Sequence, residues 1–410
     1  MVGLQRFPLT LMNQNISYGK FFSYVQKRFM KAINSAQTRL DNRTRDLQLD
    51  KLVKQMKKLK LVVRMHELMS KRRASHTSIQ LLSRWSNIIG LNVRVGSFIK
   101  KHPHFFQVYM HPIKRNLCLR FSQKMSDLIA EEASVIRKSG MVTVQVLKKL
   151  LMMSTNGSLH AHALWLVRRE FGLPDDFRDS VVSKYPEIFR LVHPDKIELL
   201  SWDNDLAVAE IEKWRENEYR EKWLSEYETR YAFPISFPTG FIIPRGYREK
   251  LKNWQRMSYL KPYEKREAVH VRTRGGVDRL EKRVVGILHE FLSLTVEKMV
   301  DVERLSHFRR DFSMEENLRE ILLQHPGVFY ISAKGNSLTV FLREKYSKGC
   351  LVEPNPIYTV RRKMLNLVLL ERRFTSLMKP LEKTKDTRLA CFDVATESLD
   401  CLEEHAVSLN

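Results

Sequence analysis

The chain has few cysteines and no long apolar run. Four cysteines occur among 410 residues, Cys118, Cys350, Cys391 and Cys401, and their positions do not give the paired spacing of a zinc site. We therefore expect a reducing compartment, with neither a disulfide nor a structural metal. No stretch approaches the ~20 apolar residues that a membrane-spanning helix needs. The sequence thus predicts a soluble mature protein with no membrane partner.

The signatures of an enzyme are also missing. A cysteine hydrolase needs a thiol activated by a nearby histidine, and neither Cys118 nor Cys350 has a recognisable nucleophile context. Gly275-Gly276 lacks the Lys-Ser/Thr ending of a phosphate-binding loop. We therefore expect no catalytic residues, no metal site, no cofactor and no enzymatic activity.

Acidic residues are scarce relative to basic ones. The chain has 71 Lys and Arg against 46 Asp and Glu, a net charge of +25. The excess is clustered: residues 51–115 hold fifteen bases and one acid, Glu67, and residues 245–283 hold thirteen bases and five acids. Such an excess predicts a polyanionic partner, because basic side chains neutralise phosphates and release counterions.

Aromatic residues lie between the bases of the second cluster: Tyr247, Trp254, Tyr259 and Tyr263. Aromatic rings near phosphate-binding bases can stack on splayed nucleobases. The alternative is a solvated basic face with its aromatics in the core.

One short pattern occurs three times, in residues 98–106, 181–189 and 321–329. In each copy an apolar helical end runs into His or Tyr and then Pro, and an aromatic follows three residues after the Pro. Proline disfavours helical geometry in the preceding residue, so His102, Tyr185 and His325 should each end a helix. Alternating apolar residues, a turn and a second alternating stretch follow, which predicts a half-buried hairpin after each proline.

Helical periodicity precedes these copies, for example in residues 144–153, 159–171 and 283–296. Helices followed by a hairpin are the outline of a winged-helix module. The expected fold is therefore mainly α with short β-hairpins, an α+β class, with three winged-helix-like modules in tandem. These modules would span about residues 45–125, 140–205 and 280–345. The alternative is that helix-Pro-hairpin is a common packing unit with no function attached.

The second and third prolines lie further apart than the first two, 140 against 83 residues. Residues 206–279 are therefore predicted to be an insertion, comprising a charged helix that acts as a spacer and an extended, Phe/Pro-rich connector.

The two ends of the chain differ in charge. Residues 1–40 contain six bases and no acid, which is typical of an organellar transit peptide and favours mitochondria over secretion. A basic disordered leader is the alternative. Residues 386–410 hold six acids and one Arg and are predicted to be a disordered acidic tail.

Several motifs together are highly specific. They are Arg45-Asp46 with Leu49-Asp50, residues 150–154, 172–177, 185–192 and 198–203, the connector 233–241, and residues 281–283, 292–298 and 325–332. With these motifs the chain resembles the plant organelle RNA recognition domain proteins over about residues 45–360, and we place the RNA-recognition domain at 45–375. The resemblance implies a nuclear-encoded, organelle-targeted protein that binds intron RNA and promotes group II intron splicing without being a nuclease. It supplies no defined base-reading residues.

The charge pattern and the family resemblance together predict a mitochondrial protein that binds single-stranded or structured intron RNA and works with other splicing factors. The alternatives are a chloroplast splicing factor, a DNA-binding winged-helix regulator and a ribosome-associated scaffold. The candidate RNA-binding residues, chosen by charge and placement, are Lys54, Lys57, Lys58, Lys60, Arg64, Lys71, Arg72, Arg73, Arg84, Lys100, Lys101, Lys114, Arg115, Arg245, Arg248, Lys250, Arg272 and Arg274.

Overall fold

The structure, a computed structural model, describes residues 44–71, 77–113, 115–192, 195–222, 226–264, 275–314 and 317–377. The predicted transit peptide and acidic tail lie outside the described residues. Among the described residues, no helix is long and apolar enough to cross a bilayer.

The helices are α1 (Leu47–Ser70), α2 (Ile79–Arg84), α3 (Ser86–Ile89), α4 (Val95–Lys101), α5 (Gln123–Lys138), α6 (Gly140–Met153), α7 (Ala161–Leu166), α8 (Glu210–Lys222), α9 (Glu226–Thr229), α10 (Tyr247–Arg256), α11 (Gly276–Leu294), α12 (Val302–Leu305), α13 (Leu318–Gln324) and α14 (Pro356–Leu377). A π-helical segment spans Arg178–Val182, and 3-10 turns span Ser306–Phe308 and Arg343–Lys345. The strands are β1 (Thr77–Ser78), β2 (Phe106–Met110), β3 (Leu117–Phe121), β4 (Ser158–His160), β5 (Phe189–Val192), β6 (Lys196–Leu199), β7 (Met299–Asp301), β8 (Phe329–Ser332), β9 (Thr339–Leu342), β10 (Tyr346–Ser347) and β11 (Cys350–Leu351).

Three antiparallel sheets share one strand order. In each sheet the strand that comes first along the chain pairs with the third, which pairs with the second: β1-β3-β2, β4-β6-β5 and β7-β9-β8. The three predicted hairpins are confirmed, and each begins at the aromatic that follows its proline, Phe106, Phe189 and Phe329. The molecule is therefore α+β, with three similar sheets; that each module is a winged helix stays a prediction.

The first strand of each sheet was not predicted. Residues 159–171 were expected to be helical, but Leu159 lies in β4 and α7 ends at Leu166. The strands β1, β4 and β7 have only two or three residues, too few to show a period of two. They form because β3, β6 and β9 each offer an open edge to pair with.

Two of the three predicted helix ends are confirmed. Helices α4 and α13 end one residue before His102 and His325, immediately ahead of the prolines. In the second module the helical segment ends earlier, at Val182, and a turn connects it to Tyr185.

The third hairpin is buried on both faces, although a half-buried hairpin was predicted. Phe329 and Ile331 lie in the core shared by the second and third sheets, whereas Tyr330 and Phe341 lie in the core of the first sheet and α1. Every residue of β8 and β9 is consequently buried. The third sheet therefore separates two hydrophobic cores.

A motif at the start of α1 fixes this helix to the third sheet. The Asp46 side chain caps α1. The buried carboxylate of Asp50 accepts hydrogen bonds from the Tyr330 hydroxyl at 3.0 Å, the Ser332 hydroxyl at 2.6 Å and the Arg45 guanidinium at 2.7 Å. Burial alone would raise the pKa of Asp50, but these three donors hold it below its usual value. The motif Arg45-Asp46 with Leu49-Asp50 therefore holds α1 against the third sheet.

A buried arginine on α14 joins α5 to the second and third modules. The Arg361 guanidinium donates to the Glu132 carboxylate of α5 at 2.7 Å and to the Arg169 carbonyl at 2.8 Å, and lies 3.6 Å from Glu297. Burial by itself would raise the pKa of Glu132, but the guanidinium groups of Arg361 and Arg169 hold this pKa below its usual value. The network connects α5, which follows the first sheet, with the second and third modules.

Gly172, in the second module, allows α14 to pack closely against that module. Gly172 has a φ of +66°, and a Cβ there would lie 2.7 Å from Cδ1 of Ile357 and 3.2 Å from Cγ2 of Val296. Any other residue would be strained in this left-handed conformation and would displace α14.

Replacing Arg361 tests this junction. We expect Arg361→Met to lower the free energy of unfolding by about 3 to 5 kcal/mol, because it removes the cation that the buried Glu132 and Glu297 share and leaves Glu132 with only Arg169 at 3.5 Å. Lys363→Met is the control: Lys363 bonds Glu131 at 2.8 Å between the same two helices, but both side chains are largely exposed, so the loss should stay below about 1 kcal/mol. Urea unfolding measures both, and similar small losses would contradict the assignment.

Candidate nucleic-acid interface

Helix α1 is packed on several sides. Leu52, Met56, Leu59 and Val63 on one side are buried, and so are Val62, Met65 and Met69 on other sides of the helix. The predicted bases therefore emerge between packed positions. Lys54, Lys60, Arg64 and Lys71 are exposed, and Lys57 and Lys58 are half-buried.

Three of these bases form a stripe. Lys57, Arg64 and Lys71 recur at seven-residue spacing, which brings them to nearly the same side of an α-helix. At about 1.5 Å rise per residue the stripe is roughly 21 Å long. We call Lys57, Arg64 and Lys71 the α1 stripe.

Lys60 has a different role from its neighbours. Its ammonium group lies 3.0 Å from the Asp301 carboxylate at the end of β7. Burial alone would raise the pKa of Asp301, but Lys60 and other partners hold it below its usual value. Lys60 therefore links α1 to the third sheet within the protein.

The bases of α1 and α4 meet around a buried histidine. His102, only 3% exposed, follows α4 and packs its ring 4.4 Å from that of Phe98. Burial, and then the positive charges of Lys58 and Lys101, lower the pKa of His102 to about 4. The structure thus brings together Lys58 and Lys101, which are distant in sequence.

An open groove of about 710 Å³ lies beside α4. Its polar lining is Ser83, Ser86, Asn92, Arg94, Ser97 and Lys100. Arg84 is exposed next to it at the end of α2, and Lys100 and Lys101 are exposed on the last turn of α4. Arg94 was missed by the sequence analysis because it stands alone between apolar residues. Hydroxyl, amide and cationic groups along one groove are suited to contacts with a sugar-phosphate chain.

The first hairpin extends beyond the core. Val108 and Met110 are 47% and 57% exposed, so the prediction of a half-buried strand is wrong for the outer part of β2. Arg115 is exposed in the connecting turn, and the Arg120 guanidinium lies over the Tyr109 ring at 5.6 Å. The hairpin therefore presents bases and apolar side chains together.

The second basic cluster lies on α10 and the turn before it. Arg245, Arg248 and Lys250 are all exposed. A buried lysine of α11, Lys282, anchors the helix, and its ammonium group donates to three carbonyl oxygens at the end of α10. These belong to Trp254 at 2.5 Å, Gln255 at 2.9 Å and Met257 at 2.7 Å. The helix is thus held on the core of the second and third sheets.

The aromatics of this cluster are mainly core residues. Tyr259 and Tyr263 are each only 6% exposed; the Tyr259 hydroxyl accepts from Arg215 at 2.9 Å, and the Tyr263 hydroxyl donates to Glu290 at 2.6 Å. Of the two interpretations, the one that places these aromatics in the core is therefore confirmed for both residues. They fill the interior because the insertion folds back onto α11.

The remaining predicted bases lie outside the described residues. They are Arg72, Arg73, Lys114, Arg272 and Arg274.

Comparison with known proteins agrees with this picture. The family profile described as "Plant organelle RNA recognition domain" matches residues 44–373. The chain belongs to this family. It is 38% identical to the Protein ROOT PRIMORDIUM DEFECTIVE 1 of Arabidopsis thaliana, over 84% of this chain and 87% of that protein.

Other members of the family are also similar. The Protein WHAT'S THIS FACTOR 1, chloroplastic, of Zea mays is 33% identical over 80% of this chain and 67% of its own length. The Protein WHAT'S THIS FACTOR 9, mitochondrial, of Arabidopsis thaliana is 27% identical over 71% and 74%. No solved structure matches the chain significantly.

The buried histidine predicts an acid-sensitive fold. Because the pKa of His102 in the folded chain, about 4, lies below its ordinary value of 6.5, protonation favours the unfolded chain. Its contribution is intact above pH 6.5 and is lost as the pH falls towards 4, by up to about 3 kcal/mol. His102→Phe keeps an aromatic ring and should flatten this part of the pH profile. Urea unfolding at several pH values measures it, and parallel profiles would refute the role of His102.

Proposed function

We propose that this protein is an organellar RNA-binding factor that binds intron RNA and promotes group II intron splicing. The observation that carries the proposal is the basic surface of the first module. It comprises the α1 stripe, the bases of α4, the groove beside α4 and the projecting hairpin.

Acids that are near in sequence do not offset the positive charge of this surface. Glu67 is the one acid in residues 51–115, and its carboxylate lies 3.6 Å from Arg168 and 3.5 Å from Arg169, both of the second module. The exposed bases of the first module therefore face solvent with no acid of their own segment to offset them. A phosphate chain is the ligand that such a surface binds most strongly, through the release of counterions.

The family favours RNA over duplex DNA. The matched family is named for RNA recognition, and two of the similar proteins are named as chloroplastic and mitochondrial. The acid-free leader supports mitochondria for this chain, and chloroplasts are the second candidate.

Binding alone would be sufficient for this role. A group II intron carries its own active site, so a protein that holds the transcript in its folded form needs no catalytic residue. The three similar sheets, each preceded by helices, are proposed to act as winged-helix-like docking units along the RNA.

Charge reversal on the α1 stripe tests the proposal. We expect Lys57→Glu, Arg64→Glu and Lys71→Glu together to weaken binding to a group II intron transcript at least tenfold at physiological salt. The slope of log affinity against log salt should become less steep by about 2, because each lost phosphate contact removes roughly 0.7 to 0.9. Filter binding over a salt series measures both quantities.

The matched control makes the same charge change on α8. Lys213, Arg220 and Lys222 are exposed and paired with glutamates of their own helix, so reversing all three should leave binding within about twofold. Equal losses in both variants would mean that only net charge matters, and would contradict a specific surface. Duplex DNA that competes as well as the intron would instead support a DNA-binding regulator.

Sequencing the RNA that co-purifies with the protein from isolated mitochondria and plastids tests the splicing role. Enrichment of group II intron reads from one organelle is the expected result. Association with ribosomal proteins that survives ribonuclease treatment would favour the scaffold alternative.

A further inference from the structure

An exposed tryptophan lies on α7 of the second module. Trp165 is 41% exposed. The Arg168 guanidinium lies over its ring at 4.3 Å, and the ring of His162 is nearly parallel to it, with an interplanar angle of 14° and 6.4 Å between centroids. These three residues follow one another at three-residue spacing on α7 and the turn after it. They form a ladder of flat groups at the surface.

The Arg168 end of this ladder is fixed. The Arg168 side chain donates to the Asp175 carboxylate at 2.5 Å and to the Trp165 carbonyl at 3.1 Å, and lies 3.6 Å from the Glu67 carboxylate. Arg168 itself is only 9% exposed, and the carboxylates of Asp175 and Glu67 offset its charge. It supports one face of the indole and limits the movement of the ring.

The His162 ring covers the indole only loosely. A centroid distance of 6.4 Å is near the upper end of the 4.5 to 7 Å range of aromatic pairs, and His162 is itself exposed. A flat ring could therefore contact the exposed part of the indole with only a small movement of the imidazole.

The ladder adjoins the α1 stripe. Glu67, which pairs with Arg168, is three residues after Arg64 and four before Lys71, and residues at these spacings are neighbours on a helix surface. Both bases are exposed. Trp165 therefore lies where the first module's phosphate-binding surface meets the second module.

We propose that Trp165 and His162 form a stacking site for one unpaired nucleobase of single-stranded RNA, with the flanking phosphates directed to Arg64 and Lys71. The ligand is single-stranded because bases within a duplex are already stacked on each other and cannot reach an indole face. This inference rests on the proposed RNA-binding function. It adds a site that holds an exposed base, whatever its identity, to a surface that otherwise holds phosphates.

The competing explanation is that Trp165 only packs against Arg168. Packing predicts that the affinity for RNA follows the stability of each variant. Stacking predicts that affinity follows the aromatic character of residue 165 even when stability does not change.

The experiment measures binding of the full chain to a 20-nucleotide single-stranded RNA, and to the same RNA annealed to its complement. Trp165→Ala should weaken single-strand binding about 5- to 140-fold, the loss expected for one stacked base. The salt dependence should stay the same, because no phosphate contact is removed. Trp165→Phe should keep most of the affinity, and duplex binding should change less than twofold in both variants.

Trp202 provides the control, because it is 42% exposed in the same module and hydrogen-bonds Asn204 at 3.1 Å. Trp202→Ala should bind the single strand like the wild type. If the wild type binds neither RNA, the proposed function itself fails. If the wild type binds and Trp165→Ala binds equally well, only the stacking site is refuted. If Trp165→Ala and Trp165→Phe lose affinity and melting temperature together, the packing explanation replaces it.

Discussion

The buried guanidinium of Arg361 is the contact on which the arrangement of the molecule depends. Its partners come from α5, from the second module and from the segment before β7. A buried cation of this kind is tolerated only when each of its donors has an acceptor in place. Together with the hydrogen bonds of Asp50 that hold α1 to the third sheet, these contacts keep the three modules in one relative position, and with them the surfaces that are composed of more than one module.

This constraint separates the basic residues into two groups. Arg168, Arg169, Arg361 and Lys60 bind carboxylates inside the protein and connect modules. Arg64 and Lys71 of the α1 stripe and the bases at the end of α4 face solvent, and Lys57 is half-buried, in a segment with almost no acid of its own. The large positive charge of the chain is thus partly structural, and only the solvent-facing part is suited to a phosphate chain. Counting bases along the sequence cannot make this separation, because Asp301, which pairs with Lys60, and Glu132, which pairs with Arg361, are each more than 200 residues from their partner.

The aromatic residues divide in a similar way. Tyr259 and Tyr263 stood among bases in the sequence, and yet both fill the core next to α11. Trp165 stood in a predicted helix with apolar periodicity, and it is exposed on a short helix against a fixed arginine. The spacing of His162, Trp165 and Arg168 at three-residue intervals was the available signal, but it marks a ladder only if that side of α7 faces solvent.

Local chemistry in the sequence was sufficient for the hairpins, the helix ends at His102 and His325, the α+β class and the polyanionic partner. These depend on proline geometry, on alternation within a few residues and on net charge, all of which act over short distances or on the whole chain. Only the tertiary structure decided that the third hairpin is buried on both faces, that two- and three-residue strands complete the sheets, and which bases remain open to solvent. Each of these outcomes depends on what packs against a residue from a distant part of the chain, and a local pattern contains no information about that neighbour.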